Sequence, residues 1–338
     1  MPVQTTIKDI AQALGISVAT VSRALRDTYD VSETTRERVL KKAEELNYKP
    51  NVYAVGLAGG KSKNIGILIP AINHYYFSTV ITGIQETAYR EGYNIILFVT
   101  NDAADRETTI IKNLNPLHLD GILIAASSTA DATPVFEKLL ENMPVVFFDR
   151  VLPDIATSHV RQDDYNGAVA ATEHLLAQGY RRIAHLAGPP DLDFTLRRKQ
   201  GYTDTLINAG HPVRQEWVVH SGFSRQDGFG DMERLLALAD PPDAVFAVND
   251  RKAIGAMLAL KANGIAIGPE IGVIGFTGDP SGEIISPSLT TVAEPAYDIG
   301  KQACELLISH ITRSTFQPRE VVLPGKLLIR DSTRRCPQ

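Results

Sequence analysis

Cysteine is almost missing from the chain: 338 residues hold two, Cys304 and Cys336. Two thiols build no disulfide framework. His159, His174 and His185 stand at no metal-ligand spacing from them or from one another, so a stapled secreted scaffold and a structural zinc site are excluded. Long apolar runs are missing too; nothing approaches the ~18 consecutive residues that a membrane span needs. The opening MPVQTTIKDI has no basic segment followed by an apolar one, so no secretory signal is expected, and a reducing cytoplasm suits the low thiol count. Enzyme signatures are absent as well. There is no Gly-x-Ser-x-Gly elbow and no dinucleotide glycine fingerprint. Gly59-Gly60-Lys61-Ser62 lacks the first glycine and the preceding strand of a phosphate loop. No catalytic residue, cofactor or metal is expected.

What is present is globular. Hydrophobic residues make up 44% and charged residues 22%, and the length suits roughly two or three domains. The net charge of −5 is unevenly spread: residues 1–63 hold ten Lys/Arg against seven Asp/Glu, so the acid excess lies in the remainder. A basic head on an acidic body suits polyanion binding by the head alone.

The head reads as three short helices, over about 7–14, 18–25 and 33–46. Thr6, Ser17 and Ser32 are the caps, and Gly15 ends the first helix. Ile7, Ile10, Ala11 and Leu14 share one face of the first helix. Val39, Leu40, Ala43 and Leu46 are expected inward on the third. Two helices joined by a short glycine-containing turn form a helix-turn-helix, whose second helix presents its N-terminal residues to base edges. Val18, Ala19 and Ser22 or Arg23 would lie on that exposed face. Arg23 suits guanine, Val18 and Ala19 suit thymine methyls, and Ser17, Thr20 and Ser22 suit phosphates. The next segment, 52–58, is closed by Gly59-Gly60 and is too short to be a stable helix alone in water.

From Asn64 short apolar runs alternate with amphipathic helices. Strands are expected over 65–69, 94–99, 121–125 and 145–148, then over 183–187, 217–220, 244–248 and 272–276. Helices lie between them, and a last helix near 296–311 and strand near 321–329 return to finish both sheets. Repeated βαβ units mean parallel sheets covered on both faces, and two sets mean two similar lobes. The expected fold is therefore an all-α helix-turn-helix head on an α/β body of two doubly wound parallel-sheet lobes. Ligands bind at strand C-termini in such sheets. By strand position the candidates there are Asn73, Tyr76, Phe77, Asn101, Ser127, Asp149, Asn249 and Thr277. Asp163 is read as ligand contact or cap, Asp250 as a cap, and His74 as a rim residue.

Several runs resemble the lactose/galactose repressor (LacI/GalR) family. In the head these are Thr6-Ile7-Lys8-Asp9-Ile10-Ala11, the helix over 18–25, Thr35-Arg36-Glu37-Arg38-Val39 and Asn47-Tyr48-Lys49-Pro50-Asn51. In the body they include Asn64 to Pro70, Phe148-Asp149-Arg150, Gly179-Tyr180-Arg181-Arg182-Ile183-Ala184, Arg198 with Gly201-Tyr202, Asn249-Asp250 and Leu289-Thr290-Thr291-Val292. The resemblance runs in order over nearly the whole chain. It implies a helix-turn-helix domain over 1–50, a hinge over 51–62, and an effector-binding and dimerisation domain over 63–338. The latter would be built like a type I periplasmic binding protein. Its N-lobe would cover about 63–161 and 293–321, and its C-lobe about 162–292 and 322–332.

The family likeness implies a ligand-responsive regulator, a repressor of sugar or sugar-acid utilisation genes. It would act as a cytoplasmic, nucleoid-associated homodimer on a pseudo-palindromic operator. Thr6 and Asn51 join the DNA-binding set. Leu57 matches the family's minor-groove leucine wedge and Ala54 the small residue beside it, while Val55 and Gly56 replace the hinge's usual arginine-type residue. Arg198 and Phe223 join the effector set by the same matching. Many sugar-binding members carry an aspartate directly after the Gly-Phe of the last C-lobe strand. Here Gly275-Phe276 is followed by Thr277-Gly278-Asp279, which favours an anionic or larger ligand over a neutral hexose. The polar residues 331–338 are too few for the heptad helix of family tetramers, so a dimer is expected. A pure solute-binding protein would explain the lobes and not residues 1–62. An enzyme would need convergent acid and base groups that the sequence does not offer.

Overall fold

Capping chemistry sets the first helices. The computed structural model describes residues 5–25, 30–48, 61–127, 133–152, 155–313 and 317–335. The chain divides into two units, Met1–Ser62 and Lys63–Gln338. In the first, α1 spans Ile7–Leu14, α2 Val18–Leu25 and α3 Glu33–Glu45. The backbone N–H and hydroxyl of Thr6 both donate to Asp9, at 2.7 and 2.8 Å. Gly15 closes α1 in the left-handed region at φ 66°. Ser17 accepts from the Thr20 N–H at 3.1 Å and Ser32 from the Thr35 N–H at 3.4 Å. Ile10, Ala11, Val21, Ala24, Val39 and Ala43 form the core of this unit, with Ile7, Leu14, Leu25, Val31 and Leu46 against it. Leu40 departs from expectation and is 47% exposed. It sits ~100° around α3 from Val39, outside the stripe that Val39, Ala43 and Leu46 already fill. The segment 52–58, with Ala54 and Leu57, and Asn51 before it lie outside the described residues.

The second unit runs β1 (Asn64–Ile69), α4 (Tyr75–Arg90), β2 (Asn94–Val99), α5 (Ala104–Asn113), β3 (Gly121–Ile124), α6 (Thr133–Leu140), β4 (Val145–Phe148) and β5 (Ser158–Gln162). There follow α7 (Asp164–Ala177), β6 (Ile183–Ala187), α8 (Asp193–Asn208), β7 (Val218–His220), α9 (Arg225–Leu236), β8 (Ala244–Ala247), α10 (Asp250–Ala262) and β9 (Gly272–Thr277). The chain closes with α11 (Ser281–Ile284), β10 (Thr290–Ala293), α12 (Ala296–Thr312), β11 (Glu320–Leu323) and β12 (Lys326–Leu328).

Among the described residues the strands form two six-stranded sheets, ordered β11-β5-β4-β3-β1-β2 and β12-β10-β9-β8-β6-β7. All pairings are parallel except β10 with β12. Each central strand is apolar throughout, as burial on both faces demands. The chain passes between sheets at Asp163, at Glu294-Pro295 and at Pro324-Gly325. The run read as one strand over 321–329 is therefore two, split by Pro324-Gly325. Val322 and Leu323 pair with β5 in the first sheet, not with the second lobe.

Glycines set the helix spacing in both lobes by the same device. A Cβ on Gly300 of α12 would stand 2.1 Å from the Val80 carbonyl of α4, and one on Gly83 of α4 2.2 Å from the Tyr297 carbonyl. In the other lobe a Cβ on Gly255 of α10 would stand 2.0 Å from the Arg225 carbonyl, and one on Gly228 of α9 2.1 Å from the Lys252 carbonyl. Only glycine lets these helix backbones touch.

Candidate functional site

In the head, the N-terminal face of α2 stays open while its other face is spent on the core. Ser17, Val18, Ala19 and Arg23 are exposed, Thr20 and Ser22 half-buried, and Val21 and Ala24 buried. Thr6, exposed just before α1, has already committed its hydroxyl proton and its N–H to Asp9. Ser17 shares its hydroxyl with that of Thr20 at 2.8 Å.

The body carries a cleft, open at its mouth, where the strand C-termini of the two sheets face each other. The first lobe contributes His74, Tyr75, Tyr76 and Phe77 at the start of α4, Asp102 after β2, and Asp149 and Arg150 after β4. The second contributes Phe194 and Arg198 of α8, Phe223 after β7, and Asn249, Asp250 and Arg251 at the start of α10. Thr277, Asp279 and Glu294 complete it. Backbone strain gathers here: Asp149 sits at φ 59° and Thr277 at φ 144°, both unusual for residues with a Cβ.

Arg198 is the centre of the floor, 3% exposed. Its Nε donates to Asp164 at 2.8 Å, Nη1 to the Val248 carbonyl at 2.6 Å and Nη2 to Glu294 at 2.6 Å. Nη2 also meets Asp164 at 2.8 Å, and the guanidinium lies 3.6 Å over the Phe276 ring. Asp164 follows the first crossing between lobes and Glu294 forms part of the second, so Arg198 ties two crossings together. Burial pushes the Asp164 carboxyl up to about 6 and Glu294 up to about 8, against the pull of Arg198. Burial likewise raises Asp149 against the pull of Arg150, and holds the Tyr76 phenol well above its ordinary value with the help of the Asp149 charge.

The walls are aromatic. Phe194 and Phe223 stack with centroids 5.6 Å apart, and Arg150 lies over both rings at 5.8 and 5.6 Å. Gly188 makes room for this, since a Cβ there would stand 2.6 Å from the Phe223 ring. Asn249 caps α10, accepting from the Lys252 N–H at 2.8 Å, and gives an amide proton to the Phe223 carbonyl at 3.2 Å. Behind it Lys252, fully buried, bonds the Ala187 carbonyl, Ser221 and Asp231 at 2.6, 2.8 and 2.7 Å. Asp250 braces the loop after β9, accepting from Thr291 at 2.6 Å and the Asp279 N–H at 2.7 Å. The carboxylate missing after Phe276 reappears on the cleft wall as Asp279, which accepts from the Ser281 hydroxyl at 2.7 Å.

The structure thus brings together Tyr76, Phe77, Asp149, Arg198, Phe223, Asn249 and Thr277. It does not bring in Asn73, which is exposed before α4, nor Asn101, exposed at φ 56°. Ser127 also stands outside the lining: its hydroxyl meets Thr100 at 2.5 Å and its N–H donates to Glu107 at 2.7 Å. Asp163 caps α7 through the Asn166 N–H. Sequence reasoning missed Phe194, Arg150, Asp102, Arg251 and Glu294. Phe194 was within reach, since it precedes Arg198 by one helical turn and shares its face.

An α-helical reading head and a two-lobed body with a polar, aromatic-walled cleft at the strand ends define a class: a DNA-binding regulator whose body is of the ligand-binding type. Residues 6–51 match the family model of bacterial regulatory proteins of the lacI family, and residues 62–331 that of periplasmic binding proteins and the sugar-binding domain of the LacI family. The chain is 34% identical over 334 residues to the probable HTH-type transcriptional repressor ExuR of Bacillus subtilis (strain 168), covering 98% of each. It is similar to the lac repressor dimer solved with operator and the anti-inducer ONPF, with TM-score 0.86 and 26% identity over 98% of this chain and 99% of that one. It is also similar to the transcriptional regulator CelR in its cellobiose complex, with TM-score 0.73 and 27% identity over 97% and 100%. The chain belongs to the lacI family of bacterial regulatory proteins. It is a helix-turn-helix transcription repressor and not an enzyme. Among the described residues no helix is long and apolar enough to cross a membrane.

Proposed function

We propose that the protein works as a cytoplasmic, nucleoid-associated homodimer that represses carbohydrate-utilisation genes and answers to a sugar or sugar acid held in the cleft. The observation that carries this is the cleft itself. Acceptors on its floor (Asp149, Asn249 and the unspent lone pairs of Glu294) suit hydroxyls, and the aromatic walls suit the faces of a sugar ring. On DNA, α2 of each protomer enters the major groove of one operator half-site through Ser17, Val18, Ala19, Thr20, Ser22 and Arg23. Thr6 positions the backbone, and Asn51, Ala54 and Leu57 serve the minor groove. The apolar edge strand β2, with Ile96 and Leu97 about two-fifths exposed at 37% and 42%, favours cover by a second copy. The similarity to a repressor dimer bound to operator and to a regulator bound to cellobiose supports the same reading.

The test is a thermal-shift screen of sugars and sugar acids. A ligand at about 100 times its Kd adds ~2.7 kcal/mol to the stability of the body. Asp149→Asn should remove that shift. A shift that survives Asp149→Asn places the ligand elsewhere.

A further inference from the structure

Resting on the effector reading above, we infer that the cleft has a carboxylate subsite at its mouth, formed by Arg251, His74 and Arg150, and that the effector is a monoanionic sugar acid. The cations of the cleft are unequally satisfied. Arg198 faces two carboxylates within 2.8 Å. Arg150 pairs with Asp102, yet its Nε is buried and, among the described residues, completes no hydrogen bond; Asp149 stands 3.9 Å away. Arg251 pairs with no carboxylate among the described residues. Its Nη1 lies 2.9 and 2.7 Å from the two ring nitrogens of His74, across the cleft on the first lobe. That imidazole is a poor partner for a cation, and burial together with Arg251 and Arg150 lowers its pKa. A guanidinium facing a histidine, beside Arg150, whose buried Nε completes no hydrogen bond among the described residues, is a set of donors awaiting an acceptor with charge.

The rest of the lining fixes the kind of anion and its direction. Asp149 and Asp164 crowd Glu294 at the floor and raise its pKa, so the anionic end turns to the mouth and the hydroxyls to the floor. Asp102 and Asp279 line the cleft besides Asp149, and Arg251, the one cleft arginine with no carboxylate partner among the described residues, balances one charge. A carboxylate fits that arithmetic; a phosphate dianion leaves a charge over beside three aspartates.

Calorimetry on the full chain tests this with D-glucuronate and D-galacturonate, their neutral parents D-glucose and D-galactose, the aldonate D-gluconate, and glucose 6-phosphate. One of the sugar acids should bind at least about tenfold tighter than its neutral parent and than the phosphate, as a charge-assisted hydrogen bond predicts. Arg251→Gln should bring acid and parent to within about threefold, and Arg251→Lys should keep part of the difference. A neutral sugar binding as tightly as its acid, a tighter phosphate, an acid preference that survives Arg251→Gln, or no heat with any of the three acids overturns the subsite. The effector reading fails separately, if Asp149→Asn leaves the binding of every probe unchanged.

Discussion

Arg198→Ala should unfold the floor of the cleft as well as empty it. The side chain is 3% exposed and holds two buried carboxylates, Asp164 and Glu294, with Asp149 close enough to raise both. Removing it leaves Asp164, whose carboxyl at about 6 is ionised at neutral pH, buried without its cation, and breaking a buried pair in this way costs about 3–5 kcal/mol. For a unit the size of this body, with roughly 2 °C lost per kcal/mol, the melting temperature should fall by roughly 6–10 °C. The assay is calorimetric or fluorescence melting of the variant at neutral pH beside Arg198→Ala/Asp164→Asn. The double variant removes the stranded charge and should recover part of the loss. A single variant melting within about 2 °C of the parent, at that same ~2 °C per kcal/mol, would show that the guanidinium does not compensate these carboxylates. The clamp between the lobe crossings would then be wrong.

Other outcomes follow from the same contacts. Gly255→Ala should destabilise by about 1–3 kcal/mol or more, because its Cβ would meet the Arg225 backbone at 2.0 Å. Gly230→Ala, on α9 with open space around it, should instead gain about 0.5–1 kcal/mol, and urea titration reads both. Glu294 is protonated more readily in the folded chain than in the unfolded one, so the stability it lends below its ordinary value of 4.5 is lost as pH rises through about 8. Melting across pH 5 to 9 should therefore fall more steeply for the parent than for Glu294→Gln. In the head, Arg23→Ala should cost about 1–3 kcal/mol on the operator and relax one symmetric base preference in a binding-site selection. Leu57→Ala should reduce the bend that the operator shows in gel mobility while leaving non-specific binding to a scrambled duplex intact.

Much of this was legible in the sequence for a physical reason. The central strands are apolar runs because both sheet faces are buried, so β1, β3, β4, β6, β8 and β9 announce themselves. β5 does not: Ser158-His159-Val160-Arg161-Gln162 carries one strongly apolar residue, and its inward positions are filled by Ser158 and Gln162. The final strand read as continuous because Pro324-Gly325, which moves the chain from one sheet to the other, looks like any surface turn. In the cleft, residues at the C-terminal ends of apolar strands were found, among them Asp149, Asn249 and Thr277. What could not be found were residues whose role depends on a partner across the lobes. Arg251 means little without His74 opposite, and Glu294 means little without Arg198. Conversely, Ser127 follows a strand as Asp149 does, and only its bonds to Thr100 and Glu107 show its groups engaged in the lobe's own packing.

The central claim is that one free energy links the cleft to the operator. It is tested most directly by fluorescence anisotropy of the full chain on a two-fold symmetric operator duplex, with and without the sugar acid that calorimetry selects. Linkage requires that the effector bind the DNA-competent and the free forms with different affinities. Operator affinity should change by at least about fivefold, the low end of usual coupling, and Asp149→Asn should abolish the change. A sugar acid that saturates the cleft while operator affinity stays the same would contradict the claim.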